Sequence, residues 1–230
     1  MAEYLVTLGA HFVFVFASMA LFFAPFVGLF WWRHRIAVKE AKPHFNYFME
    51  RFFLSKESNY LVLCWAAAEA VVWFIIPEFL LLLMVFMKIR RKRELIVYDV
   101  IGTVIGTVIA YMWNASEQVL LSFPYVFQGM IDHVHAWYEQ LGVWGLIYQP
   151  FSGVPYKVFT HLAPEYYLPV LGFLVVAIVV RMSRYLVVYE ISRRLYPFLH
   201  KYVRRHYLVL FVGAILIFTM MLMRVSDIYR

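Results

Sequence analysis

Residues 5–32 form one apolar run, interrupted only by His11 and Pro25. About 20 such residues suffice to carry an α-helix across the hydrocarbon of a bilayer. Comparable runs recur at 60–87, 95–113, 143–163, 167–180 and 207–223. In lipid, every main-chain polar group needs a partner within the protein, so long apolar runs of this kind must be helical. Composition agrees: only 15% of residues are charged and 64% are hydrophobic, whereas a soluble domain carries about 25% charge. A soluble fold of this size has too little polar surface to cover the rest. The first run is expected to be a retained helix rather than a leader, since it opens with Glu3 and far exceeds the roughly 7–15 residues of a signal core. The one cysteine, Cys64, lies within an apolar run and reads as a small packing residue.

The placement of charge sets the expected topology. Eighteen of the 21 Lys and Arg residues fall in three blocks, at 33–56, 88–93 and 181–206. By the positive-inside rule all three are expected to be cytoplasmic, and the stretch 114–142, which has no Lys or Arg, is expected outside. Basic blocks confined to loops suit anionic headgroups and argue against nucleic acid as a partner. Run 60–87 then has basic blocks at both ends and must cross an even number of times. Its 28 residues are too few for two spans of about 20, so a re-entrant hairpin turning near Pro77 is expected. Run 143–163, broken by Gly145, Pro150, Gly153 and Pro155, is expected to form a second hairpin from the opposite side. The fold expected is therefore all-α and integral to the membrane, with four spans and two opposed re-entrant hairpins. Both termini would lie outside, an arrangement that Arg224 and Arg230 oppose. Six plain spans are the alternative.

Broken segments at corresponding places in two halves of a chain point to a transport site near the bilayer midplane. The first reads AAAEAVVWFIIPEFLLLL and holds Glu69 and Glu78. A carboxylate deep in a membrane is costly and is usually paired or functional, so these two are the candidate proton-coupling residues. The alternative is that either snorkels or caps the turn. The second reads QPFSGVPYKVFTHLAPE. Gly153 and Pro155 let its backbone turn. Lys157 is the one cation between Arg93 and Arg181, a candidate counter-ion for Glu69 or Glu78 or a headgroup ligand, unless it snorkels outward. Gln149 and Thr160 are candidates beside it, and His161 reads as packing. Gly102 and Gly106 form a GxxxG pair that permits close helix approach. Asp99 reads as a solvated helix-end charge. His133 and His135, with Asp132, read as a solvated outer loop, and no metal site is expected. No nucleophile–base set, CxxC or P-loop occurs.

Taken together these features resemble the DedA superfamily, also called SNARE-associated or VTT-domain membrane proteins, over roughly residues 60–223. The resemblance rests on Glu69 with Pro77–Glu78, on Gly102, Gly106 and Tyr111, and on Phe151–Ser152–Gly153–Val154–Pro155–Tyr156–Lys157. It implies two facing re-entrant hairpins, movement of phospholipids or lipid-linked phosphates, and Glu69 and Glu78 as the two functional acids. The chain departs from the pattern in three places. Gln149 stands near the family's first arginine, Pro155 or Lys157 near its second, and Thr103 at a usual acid. Lys157 would bind phosphate as a point charge rather than a fork.

The division expected is an N-terminal helix with an interfacial segment (1–59), a DedA/VTT-like membrane domain (60–223) and a short tail (224–230). The function expected is translocation of phosphate-bearing lipid between leaflets, without enzymatic activity or cofactor, in a bacterial inner membrane. The partners expected are anionic or phosphate-bearing lipids, with room for a homo-oligomer. A proton-coupled transporter of small solutes and a non-transporting scaffold are the rival readings.

Overall fold

The computed structural model describes residues 2–40, 45–87 and 92–230. Every regular element among them is a helix. In chain order these are α1 (Ala2–Glu40), α2 (Phe45–Phe53), α3 (Lys56–Val71), α4 (Pro77–Met87), α5 (Lys92–Trp113), α6 (Glu117–Ser122), α7 (Gln128–Leu141), α8 (Gln149–Ser152), α9 (Tyr156–Leu162), α10 (Val170–Arg205) and α11 (Tyr207–Tyr229). Two tighter 3-10 turns, Gly142–Tyr148 and Ala163–Tyr166, flank the α8–α9 region. Among the described residues, four helices are long and apolar enough to cross a membrane: Val6–His34, Glu94–Trp113, Val170–Val203 and Tyr207–Tyr229. The chain is a helical membrane protein, and these four coincide with the four expected spans. Residues 88–91 of the second basic block and 41–44 of the interfacial stretch lie outside the described residues.

Three boundaries differ from expectation. Helix α1 runs past residue 32 to Glu40, because 33–40 contains no glycine or proline and is rich in good helix formers. The region 114–142 is mostly helix, α6 and α7, rather than loop. Met130, Ile131, Val134 and Tyr138 of α7 lie on one buried face, the spacing of an amphipathic helix. The third change matters most. Residues 167–180 and 181–206 do not form a span followed by a loop; from Val170 to Arg205 they are one helix of 36 residues, about 54 Å long. Arg181 and Arg184 therefore sit in the body of a helix, not in a basic loop.

Two breaks organise the interior. Helix α3 stops at Val71 and α4 starts at Pro77, where proline gives up an N–H that would lack a helical partner anyway. The intervening chain folds back on α3, and Trp65 Nε1 donates to the Ile75 carbonyl at 2.8 Å. The second break follows α8, where Gly153 takes the left-handed conformation (φ 76) and Pro155 opens α9. Aromatic and aliphatic side chains around Trp65, Phe52 and Phe53 form one core cluster, and those around Phe159, Tyr156 and Tyr138 form another.

Helices α3 and α5 touch main chain to main chain. A Cβ on Gly102 would stand 2.2 Å from the Leu63 carbonyl oxygen, and one on Gly106 would stand 2.3 Å from that of Ala67. Both obstacles are backbone and cannot swing aside. Gly9, by contrast, has nothing within 4 Å. Alanine at these two positions should act with opposite sign. Gly106→Ala should cost about 1–3 kcal/mol through overpacking. Gly9→Ala should gain up to about 1 kcal/mol from helix propensity. Thermal unfolding in detergent measures both, and a stabilised Gly106→Ala would show that α3 and α5 are not in contact.

Candidate functional site

A helix that ends inside a protein leaves its last carbonyls without partners. At the broken end of α3 those carbonyls belong to Ala70, Val71 and Val72, and α9 supplies a donor to each. Thr160 Oγ1 donates to Ala70 O at 2.7 Å, His161 Nε2 to Val71 O at 2.9 Å and Lys157 Nζ to Val72 O at 2.9 Å. Positions 157, 160 and 161 share one face of a helix, so a single turn of α9 closes the end of α3. Lys157 also donates to Pro124 O at 3.0 Å, and its ammonium lies 5.4 Å from the Phe123 ring centre. His161 is neutral here. Its Nε2 proton goes to a carbonyl while Nδ1 accepts the Ala115 amide at 3.2 Å.

This arrangement corrects two expectations. Lys157 is fully buried and turned to main chain, so it is not the counter-ion of Glu69 or Glu78. Thr160 likewise spends its hydroxyl on the joint.

The counter-ions come from α10. Arg181 pairs through Nη1 with Glu69 Oε2, and both residues are 2% exposed. Arg184 holds Glu78 with a fork: Nε to Oε1 at 2.5 Å and Nη2 to Oε2 at 3.2 Å. Two parallel bonds of this kind give geometric specificity as well as energy. Spaced three residues apart, the two arginines project from one side of α10, across the first break, onto acids that belong to two different helices. Glu78 also lies in the first turn of α4, where the helix dipole favours negative charge.

Helix α5 supplies a polar face to the same cluster. Arg181 Nε donates to Thr103 Oγ1 at 3.2 Å, and Thr107 Oγ1 meets the Tyr156 hydroxyl at 2.9 Å. The Arg181 guanidinium lies 4.4 Å from the Tyr156 ring centre. Asp99, one turn before Thr103, is 1% exposed. It is a buried member of this cluster and not the solvated end charge that its proximity to residues 88–93 suggested. Asp99 Oδ1 and Arg181 Nη2 have no hydrogen-bond partner.

Beside Arg184 lies a cavity of about 200 Å³. Glu69, Gln149 and Arg184 form its polar end, while Phe74, Phe218 and Leu222 contribute to its apolar walls. Gln149 Oε1 faces Arg184 Nη1 at 3.5 Å. Trp73 also lines this space, and its indole N–H is unpartnered. The structure thus brings Glu69, Glu78 and Gln149 together, with Pro77, Gly153 and Pro155 at the breaks around them. Gly102 and Gly106 stand behind, against α3. Sequence reasoning missed Arg181, Arg184 and Asp99. The signal was the unbroken apolar periodicity through 170–190, which makes an Arg–x–x–Arg pair one helix face.

No family model and no solved structure matches the chain. An uncharacterized protein of Haemophilus influenzae is 29% identical over 129 residues. That similarity covers 54% of this chain and 66% of the relative's length, so the chain spans just under two thirds of the protein it resembles.

Breaking a buried pair by removing one partner strands the other charge and costs about 3–5 kcal/mol, whereas removing both is far milder. Glu69→Gln and Arg181→Gln are each expected to lower stability in detergent by that order. The double variant is expected to lose clearly less than the sum. Strict additivity in unfolding free energy would mean that the two side chains do not interact.

Proposed function

We propose that the chain moves a phosphate-bearing amphiphile, a phospholipid or lipid-linked phosphate, between the leaflets of a bacterial cytoplasmic membrane. The observation that carries this reading is the cavity in which the Arg184 fork and Gln149 meet apolar walls. Guanidinium is the side chain best shaped for phosphate, and the apolar walls suit the first carbons of an acyl chain. In this mechanism a phosphate displaces Glu78 from Arg184, and the released carboxyl takes up a proton or shifts to another donor. Glu69 and Arg181 form the neutral floor of the groove. Gln149 keeps the headgroup role expected of it, while Arg184 takes the role expected of Lys157.

We read α3–α4 and α8–α9 as opposed re-entrant hairpins. Helix α4 starts afresh at Pro77, after α3 has ended at Val71, so the run 60–87 is broken within its apolar stretch. The two breaks meet through the carbonyl joint, as two half-membrane elements entering from opposite sides would. The resemblance to the DedA family points to the same architecture and the same class of cargo. A proton-coupled transporter of small solutes is the second reading, favoured by the buried Asp99, whose Oδ1 has no hydrogen-bond partner, behind the Arg181 pair.

The test is exchange of a fluorescent phospholipid between leaflets of proteoliposomes. Wild-type protein should equilibrate the leaflets. Arg184→Gln and the double variant Glu69→Gln/Glu78→Gln should slow exchange by about tenfold or more, a barrier change of about 1.4 kcal/mol, if they elute and melt as folded protein. Wild type no faster than empty liposomes would remove lipid as the cargo and make proton-coupled solute uptake the next assay. Variants as fast as wild type would leave the charges with a purely structural role.

A further inference from the structure

Far along the chain from the buried pairs, three elements converge on a different set of side chains. Glu117 comes from the first turn of α6, His135 from the middle of α7 and Glu165 from the turn Ala163–Tyr166. One carboxylate oxygen from each Glu and an imidazole nitrogen of His135 all lie within 4.8 Å of one another. His135 Nε2 faces Glu117 Oε1 at 3.1 Å, and Nδ1 faces the Tyr166 hydroxyl at 2.6 Å. His135 is half-buried between Glu117 and Tyr166, with 22% of its side chain exposed. Its ring is thus held at both nitrogens, and Nε2 is turned toward the Glu117 carboxylate.

The cluster carries two carboxylates and, among the described residues, no Lys or Arg partner. The sequence has no Lys or Arg between 94 and 156, and among the described residues none pairs with Glu117 or Glu165. Glu139 adds a third negative charge to the neighbourhood. Like charges gathered without a counter-ion repel, and a divalent cation is the simplest group that relieves them.

We propose that Glu117, His135 and Glu165 form a binding site for a divalent transition-metal ion, with zinc the best match. Imidazole and carboxylate oxygen are both ordinary zinc donors, at about 2.0–2.2 Å. Three protein ligands with a fourth position open to water match the accessible side of the cluster, where Glu165 is exposed. Binding places the imidazole proton on Nδ1, which donates to the Tyr166 hydroxyl oxygen and frees Nε2 for the metal. A ligating histidine typically has its other nitrogen oriented in this way. Glu165, the most exposed of the three, closes the distance. His133 and Asp132, which resemble a metal motif in sequence, are not part of the site. His133 Nδ1 is turned to the Gly129 carbonyl at 2.6 Å.

The experiment is calorimetric titration of the full, untagged chain in detergent with Zn2+ alone, and separately with Mn2+. One Zn2+ per chain is expected to bind saturably. Affinity should fall about 10–100-fold in His135→Ala and in Glu165→Gln, while His133→Ala binds as wild type. Because Glu165 is exposed, Glu165→Gln tests the site without risk to folding, and Tyr166→Phe should weaken binding by a smaller factor. Absence of saturable binding would overturn the proposal. So would binding that survives both His135→Ala and Glu165→Gln, which would be an adventitious ion only.

Discussion

The interior of this protein depends on the closure of a broken helix. Helix α3 ends in apolar surroundings, where carbonyl groups cannot turn to water, and each unsatisfied one would cost several kcal/mol. One turn of α9 resolves this by presenting Lys157, Thr160 and His161 to Val72, Ala70 and Val71. A lysine, a threonine and a histidine within an apolar sequence look like an active site. Here their chemistry is largely consumed in holding two chain breaks face to face. That joint fixes where α4 begins, and so where Glu78 meets Arg184.

Much of the architecture was legible in the sequence because lipid imposes simple rules. Run length and charge identified the four spanning helices, and proline and glycine marked both breaks. Gly102 and Gly106 announced a close helix approach. The illegible part is instructive. Positive charge after an apolar run ordinarily marks a loop, and Arg181 and Arg184 were counted that way. The helix continued because nothing in 170–205 forbids it until Pro197, which α10 accommodates within its length. Asp99 was misread for the same reason, since proximity to charges in sequence was taken as proximity to water. Pairing decides these cases, and pairing is tertiary. Glu69 and Glu78 required cations, but the sequence did not say from which helix.

The two ion pairs differ in kind. Arg181 is enclosed by Tyr156, Thr103 and its partner Glu69, and does not reach the cavity that Glu69 lines. Arg184, forked to Glu78, lines the cavity, and its side chain keeps 18% exposure. A buried pair contributes little net stability against an apolar substitute, yet fixes one arrangement against others. Arg181 therefore anchors, while Arg184 is the guanidinium that a ligand in the cavity can reach.

Both guanidiniums ride on one stiff rod. Helix α10 is about 54 Å long, and its arginines engage acids on the two separate segments that flank the first break. The two pairs are thereby geared to a common shaft. Axial rotation of α10 turns Arg181 and Arg184 through the same angle, so a twist that loosens one grip must reorient the other. The half of α10 beyond Arg184 is a handle on that shaft, and torque applied there is delivered to Glu69 and Glu78 together.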